Sequence, residues 1–191
     1  FSAGFVAYDS SSPWKQTIDS DLQADRNDHD GTPRLRQQRT NDYWAVFAEN
    51  VFRFGRFHIV PSVRYEHSEL DVRESVRPAN LTRPLINQNY SRNVPLWGLG
   101  FGNDFGRGHE TYVNVSQGYR PLRWLDVAGP FANLNVAQNQ PDPAEAVSFE
   151  AGVHGWPKRG FYYDVSVFQT NFSNRIESRQ INATDVINVN T

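Results

Sequence analysis

Hydrophobic and polar positions alternate along several segments of the chain, and this alternation predicts β-strands. The clearest segment covers residues 57–70, where side chains alternate with a period of two. This period places successive residues on opposite faces of a strand. The two faces begin with Phe57, Ile59, Pro61, Val63 and Tyr65 on one side, and His58, Val60, Ser62, Arg64 and Glu66 on the other. We therefore expect an apolar face and a polar face.

Similar patterns predict about seven strands in all, and the beginning of an eighth. Each pattern is a run of alternating apolar and polar residues bounded by turn-forming residues. The other predicted strands cover residues 1–9, 42–54, 94–105, 109–119, 145–156 and 161–172, and the eighth begins at residues 188–191.

Short and long connections alternate between these strands. The short ones are residues 55–56, 106–108 and 157–160, and the long ones are approximately residues 10–41, 71–93 and 120–144. A transmembrane β-barrel has this arrangement, because its strands run up and down between short periplasmic turns and long extracellular loops. A soluble β-sandwich has no reason to separate loop lengths by side. The expected fold is all-β: part of an antiparallel up-and-down transmembrane β-barrel.

Composition supports a barrel, because the chain combines a mean hydropathy of −0.64 with 14% aromatic residues. Half of each barrel strand faces a polar interior, and the aromatic residues form belts at the two membrane interfaces. One predicted belt lies beside the short turns and contains Phe52, Phe54, Phe57, Phe101, Phe105, Trp156 and Phe161. The other lies toward the long loops and contains Tyr43, Trp44, Tyr65, Tyr119 and Trp124.

Several function classes receive no support from the sequence. The formal net charge of −2 gives no field that points to nucleic acid. The chain has no cysteine, which excludes disulfides and thiolate zinc sites. The five histidines lack zinc-ligand spacing, and no nucleophile, base and acid lie in a catalytic pattern. We predict no catalytic residue, no metal site and no cofactor, and therefore no enzyme.

Carboxylates on the expected inward faces are the remaining candidates for chemistry. They are Glu49, Glu66, Glu110 and Glu150, and we interpret them as a polar network of the barrel interior with Arg53 and Arg64. A second acidic group, residues 28–31 (DHDG), hints at a calcium loop but departs from the EF-hand pattern. We interpret it as a solvated loop of mixed charge.

Five segments, in order, resemble TonB-dependent outer-membrane receptors, most closely the ferric-citrate and siderophore branch. They are VFAEN with IVPSVRYE (46–50 and 59–66), PLWGLG (95–100), YVNVSQGYRP (112–121), DPAE with FEAG (142–145 and 149–152) and DVSVFQTNFSNRI (164–176). Ser62 stands where the family usually has glycine. The resemblance covers roughly residues 43–176.

The resemblance implies a barrel of about 22 strands with a plugged lumen in the Gram-negative outer membrane. Residues 1–191 then form part of a single barrel domain, about seven or eight strands of it, and the plug and the TonB box lie outside this chain. The chain begins without methionine, and we expect it to be an internal piece of a longer protein. Expected partners are a ferric chelate, the lipid and lipopolysaccharide of the outer membrane, and TonB through the N-terminal region.

Substrates of such receptors are often anionic chelates, which suggests arginine as the recognition residue. A guanidinium group binds carboxylate or phosphate through two parallel hydrogen bonds. The predicted ligand-binding residues are Arg77, Arg83, Arg92, Arg120, Arg123 and Trp124. Tyr90 and Phe131 are further aromatic candidates. Pairing of these arginines with Asp71, Glu74 and Asp126, or with lipopolysaccharide phosphates, is the alternative.

Two other functions stay open at this point. A passive porin-type barrel has the same strand pattern without an upstream plug. A soluble carbohydrate-binding β-sandwich uses its aromatic residues for the ligand and buries both apolar strand faces against a second sheet.

Overall fold

The computed structural model describes residues 1–18, 31–106, 108–129, 133, 139–183 and 185–191. These residues form eleven strands and one short helix. The elements are β1 (Ser2–Ser11), β2 (Trp14–Ile18), β3 (Thr32–Glu49), β4 (Phe52–Phe54), β5 (Phe57–Val76), β6 (Asn87–Gly106), β7 (His109–Arg120), α1 (Trp124–Ala128), β8 (Ala144–Lys158), β9 (Phe161–Ser173), β10 (Ile176–Gln180) and β11 (Val186–Asn190).

Seven long strands form one antiparallel sheet with the order β1-β3-β5-β6-β7-β8-β9. The short strands β2 and β4 pair with β3 and β5. Each long strand lies beside its neighbour in sequence, which is the up-and-down topology of a barrel wall. The predicted all-β, antiparallel fold is confirmed. Within the described part of the chain, no helix has the length and apolar character needed to cross a membrane.

The strands extend further than predicted on the side of the long connections. β5 and β6 are each 20 residues long, and they leave only residues 77–86 between them. A 20-residue strand spans roughly 66 Å, well beyond the ~25 Å apolar band of a barrel even when tilted. The predicted loop 71–93 was therefore too long, and the predicted loop 10–41 also contains β2 and the first part of β3. One face is polar there, and the other mixes buried polar residues such as Glu74 with apolar ones such as Val72, so the sequence shows no clear alternation.

The prediction of an eighth barrel strand at residues 188–191 was wrong. These residues lie at the end of β11, which pairs with β10 in a separate two-stranded sheet. The V-I-N-V-N alternation is real, but its polar members bind neighbouring loops instead of facing a lumen. Asp28, His29 and Asp30 of the suspected acidic loop lie outside the described residues.

The outer face of the sheet is apolar and exposed, as expected for contact with lipid. Phe57 and Phe101 stack with ring centroids 5.8 Å apart near the short turns. Further along the same face, toward the long connections, the Trp44 and Tyr65 rings lie 5.7 Å apart. Between them, apolar residues such as Leu99 stay exposed. The predicted turn-side belt is exposed throughout, at Phe52, Phe54, Phe57, Phe101, Phe105, Trp156 and Phe161.

Three members of the predicted loop-side belt face elsewhere. The Tyr43 hydroxyl accepts a hydrogen bond from Arg64 Nη2 at 3.0 Å, and the Tyr119 hydroxyl donates to Glu66 Oε2. Both tyrosines therefore belong to the polar inner wall. Trp124 packs against the apolar core of the loops. Tyr43 and Trp44 are adjacent in one strand, so only one of them faces lipid.

Glycines on the inner face make room for large side chains of neighbouring strands. A Cβ at Gly152 would lie 2.5 Å from Tyr112 Cζ. The hydroxyl group of Tyr112 donates a hydrogen bond to Glu150. We expect Gly152→Ala to destabilise the barrel by about 1–3 kcal/mol, because the ring must move. The measurement is the temperature at which the intact protein loses its SDS-resistant folded form.

Gly118→Ala is the matched control, because a Cβ at Gly118 meets no heavy atom within 4 Å. It should unfold near the wild-type temperature. Equal unfolding temperatures for the two variants would contradict this packing.

Candidate functional site

The extracellular ends of the long strands carry a small apolar core on their inner face. Its buried residues are Leu70, Val72, Ile86, Tyr90, Val127 and Ala128. The first four come from β5, β6 and the loop between them, and the last two come from α1. Residues 121–129, the described first part of the connection between β7 and β8, therefore fold inward, and α1 lies across the inner face of the extracellular strands.

Asp126 in α1 binds two of the predicted ligand-binding arginines. Arg120 Nη1 lies 2.8 Å from Asp126 Oδ2, and Arg123 Nη2 lies 3.2 Å from Asp126 Oδ1. The Arg123 backbone N–H also donates to Oδ2 at 2.8 Å. The Asp126 side chain is 7% exposed, whereas those of Arg120 and Arg123 are 38% and 66% exposed. The carboxylate is thus buried behind two guanidinium groups that still reach solvent.

An open cavity of about 790 Å³ lies beside these arginines, within the size range of small-molecule sites. Its wall comes from β7, β8, β9 and the base of the β10–β11 hairpin. Lining residues are Gly118, Tyr119, Arg120, Arg123, Ala144, Glu145, Ala146, Ser148, Thr170, Phe172, Ser173, Arg175 and Ile176. The charged members are three arginines and Glu145. Arg120 and Arg123 pair with Asp126, and Arg175 pairs with Glu177 at 3.5 Å.

Ion pairing keeps the Asp126 carboxylate charged. Burial alone would raise its pKa, but hydrogen bonds from Arg123 and Arg120 outweigh burial and lower the pKa below the ordinary value of 3.8. The folded pKa is thus lower than the unfolded one. The pair contributes its full stability above about pH 5, and this stability is lost as the pH falls below ~4.

We therefore expect amide hydrogen exchange around α1 to accelerate as the pH is lowered through this window, after correction for the intrinsic rate. The measurement is hydrogen exchange by mass spectrometry on the intact protein. Asp126→Asn cannot titrate, so it should remove the pH dependence. The same acid profile in both proteins would assign the effect to another group.

Arg83 occupies a different environment. Its side chain is 3% exposed and binds Glu74, which is fully buried, through two hydrogen bonds of 2.5 and 2.9 Å. Glu74 also accepts hydrogen bonds from Gln37 Nε2 and the Ile86 backbone N–H, both at 3.0 Å. The group holds the loop of residues 77–86 against β3 and β5. That Arg83 contacts a ligand stays a prediction. In the structure, the Arg83 guanidinium group forms an ion pair with Glu74.

The other candidates lie near the same loops. Arg77 Nε donates to the Leu81 carbonyl at 3.1 Å, and Arg92 Nε lies 3.1 Å from Asp142 Oδ1. Trp124 is partly buried against the apolar core. The Tyr90 hydroxyl is 3.1 Å from two backbone carbonyl oxygens, and Phe131 lies outside the described residues. The structure therefore brings only Arg120 and Arg123 of the six predicted residues to the cavity.

Sequence reasoning did not identify a group of asparagines that joins the loops. The Asn139 side chain is buried and donates to the Asp126 carbonyl at 3.0 Å. Its Oδ1 accepts from the Asn188 backbone N–H at 2.6 Å, and Asn188 Nδ2 reaches the same Asp126 carbonyl at 2.5 Å. The Asn190 amide pairs with both the N–H and the carbonyl of Asp142, at 2.7 and 2.9 Å. We call these residues, Asn139, Asn188 and Asn190, the asparagine clasp.

The inner wall near the short turns carries a second polar cluster. Glu110 lies between two histidines, 3.3 Å from His58 Nε2 and 3.7 Å from His154 Nε2. Of the predicted interior network of Glu49, Glu66, Glu110 and Glu150 with Arg53 and Arg64, the structure shows the pair Arg64–Glu66. Glu110 pairs with histidines, and Glu150 accepts a hydrogen bond from the Tyr112 hydroxyl. Across the described ranges, no group of three or more His, Cys, Asp or Glu side chains is placed to hold a metal ion.

An open up-and-down sheet with an apolar outer face, a polar inner face and long extracellular strands defines the wall of an outer-membrane β-barrel. A family model described as "TonB dependent receptor-like, beta-barrel" matches residues 3–191. The chain belongs to this family, and the predicted family and Gram-negative outer-membrane location are confirmed. No curated protein matches the chain.

Among solved structures, the chain is similar to that of "Copper transporter OprC". The TM-score is 0.56 at 10% sequence identity, over 83% of this chain and 25% of that one. Similarity at this identity shows the fold alone. This chain spans about a quarter of the length of that protein.

Proposed function

We propose that the chain forms part of the wall of a receptor that imports a ferric chelate, either ferric citrate or a siderophore complex, in a TonB-dependent manner. The supporting observation is the arginine-lined cavity at the extracellular end of the barrel wall. A substrate from outside the cell meets this cavity first. Membership of the TonB-dependent receptor family supports the TonB-dependent class of transport.

The chemistry of the cavity favours an anionic chelate. Arg120 and Arg123 already bind a carboxylate in the form of Asp126, with N–O distances of 2.8 and 3.2 Å. Arg175 shares the same wall. Charge-assisted hydrogen bonds from guanidinium groups are among the stronger polar contacts in proteins. Phe172 and Tyr119 add aromatic surface for the organic part of a chelate.

We infer that the receptor transports its ligand and is not an enzyme, and that its other partners are TonB and the outer membrane. TonB engages the N-terminal region of the full-length receptor. The exposed apolar outer face contacts lipid, and lipopolysaccharide surrounds the strands above Trp44 and Tyr65. Family membership and the single-layer sheet contradict the β-sandwich alternative.

Uptake of radioactive ferric citrate and of ferric siderophores by cells that produce the full-length receptor tests this proposal. We expect uptake of an iron chelate that requires both the receptor and a functional TonB. Uptake that persists without TonB, together with open-channel conductance in planar bilayers, would identify a porin. Uptake of copper alone would replace the ferric chelate as cargo, and copper is included because the similar solved structure is that of a copper transporter.

A further inference from the structure

Asp126 has two roles in the structure. Its carboxylate oxygens bind Arg120 and Arg123 at the cavity wall. Its backbone carbonyl accepts hydrogen bonds from Asn139 and Asn188 of the asparagine clasp. One residue therefore connects the two exposed arginines of the proposed ligand site with the β10–β11 hairpin.

We propose that Asp126 is a stand-in for a carboxylate of the substrate, and that a polycarboxylate chelate displaces it from Arg120 and Arg123 and thereby loosens the attachment of the β10–β11 hairpin through Asn188. This inference rests on the proposed function of the cavity. It adds Asp126 as a residue that competes with the substrate, the β10–β11 hairpin as an element that moves, and the Asp126 carbonyl as the link between them.

Displacement has a physical cause in the burial of Asp126. Its side chain is 7% exposed, and its charge is balanced by two guanidinium groups. A buried charge that loses its partners is strongly unfavourable, so the carboxylate must move toward water when a ligand occupies the arginines. α1 has only five residues, and Asp126 lies at its centre. Because the helix is this short, we expect the backbone carbonyl of Asp126 to move with its side chain.

The β10–β11 hairpin is attached to the neighbouring loops in a way that makes it sensitive to a movement of Asp126. β10 and β11 pair only with each other among the described strands. The hairpin begins after Asn174, which has a left-handed backbone with a φ of 52°. Its base, at Arg175 and Ile176, forms part of the cavity wall. Side-chain contacts of Asn188 and Asn190 hold its second strand to the neighbouring loop. When Asn188 loses the Asp126 carbonyl, the hairpin keeps its hydrogen bonds to Asp142 and to the Asn133 carbonyl, but it is held less tightly at the cavity.

The test uses the intact receptor in detergent with two spin labels. The chain has no cysteine, so Arg179→Cys on β10 and Ser91→Cys on β6 can be labelled selectively if the rest of the protein is also cysteine-free. The probe is gallium(III) citrate, a diamagnetic analogue of ferric citrate. Its affinity is measured by calorimetry, and the label distance is measured by pulsed electron paramagnetic resonance.

For wild type, we expect saturable binding of gallium(III) citrate and a shift in the label distance. Asp126→Asn has no charge to displace, so it should bind the probe about tenfold more tightly and show a smaller shift. The matched control, Asp71→Asn, removes a carboxylate that pairs with Arg73 away from the cavity lining. It should behave as wild type. Asn188→Ala should give a broad distance distribution that the probe does not change.

Either of two results with gallium(III) citrate overturns the inference while the proposed function stands. One is weaker binding by Asp126→Asn, which would make Asp126 a purely structural residue. The other is an unchanged label distance in wild type at saturation. Binding of gallium(III) desferrioxamine but not of gallium(III) citrate would also exclude a carboxylate stand-in. Failure of every ferric and gallium chelate to bind wild type would overturn the proposed function itself.

Discussion

Removing the arginine pair of the cavity should weaken binding of an anionic ferric chelate by about a hundredfold. The variant is the triple substitution Arg120→Ala, Arg123→Ala and Asp126→Asn in the full-length receptor. It removes both guanidinium groups without leaving a buried, unpaired carboxylate. Loss of two charge-assisted interactions, each at the lower end of about 1.5–3 kcal/mol, accounts for an effect of this size. Calorimetric titration with ferric citrate and ferric siderophores measures it.

Arg73→Ala provides the matched control for this experiment. The Arg73 side chain is 74% exposed on the same extracellular strands, and it does not line the cavity. Its removal should leave affinity within about twofold of wild type, as expected for an exposed ion pair. Equal losses in both variants would show that general positive charge, and not the cavity, attracts the ligand.

The second large effect concerns stability of the extracellular loop. Glu74→Ala should destabilise the local structure by about 3–5 kcal/mol, because it leaves the Arg83 guanidinium buried without its carboxylate. Gln37 and the Ile86 backbone N–H lose an acceptor at the same time. Faster hydrogen exchange and protease cleavage within residues 77–86 of the intact receptor measure the effect.

The double variant Glu74→Leu with Arg83→Met separates lost pairing from lost packing. Replacing both buried charges by apolar groups of similar size is often neutral for stability. The double variant should therefore recover most of the protection lost in Glu74→Ala. It also addresses the ligand prediction for Arg83, since chelate affinity should stay near wild type. Equal protection in wild type and Glu74→Ala would contradict the role given to this pair.

The sequence predicts the membrane-spanning part of the sheet well because lipid selects one face of each strand. In β5, Phe57 to Tyr65 alternate with His58 to Glu66, and the exposed and inner faces follow this order. The glycines of the turns are equally informative. Gly55 and Gly160 have φ values of 63° and 82°, which favour glycine over other residues.

The extracellular part was less predictable because its contacts join residues far apart in sequence. Beyond Leu70, the buried, charged Glu74 shares the inner face with Val72, and the other face is polar, so the strands continue without a clear apolar–polar alternation. The pairs Glu74–Arg83 and Arg120–Asp126 were expected only as alternatives to ligand binding. Hydrogen bonds such as Asn188 to the Asp126 carbonyl, 62 residues apart, leave no local signal.

Binding of ferric citrate, ferric siderophores and free copper to the intact receptor in detergent is the most direct test of the central claim. The cavity of Arg120 and Arg123 predicts saturable binding of an anionic ferric chelate, which the triple variant loses. Binding of free copper alone, or equal binding of a chelate by wild type and the triple variant, would contradict it.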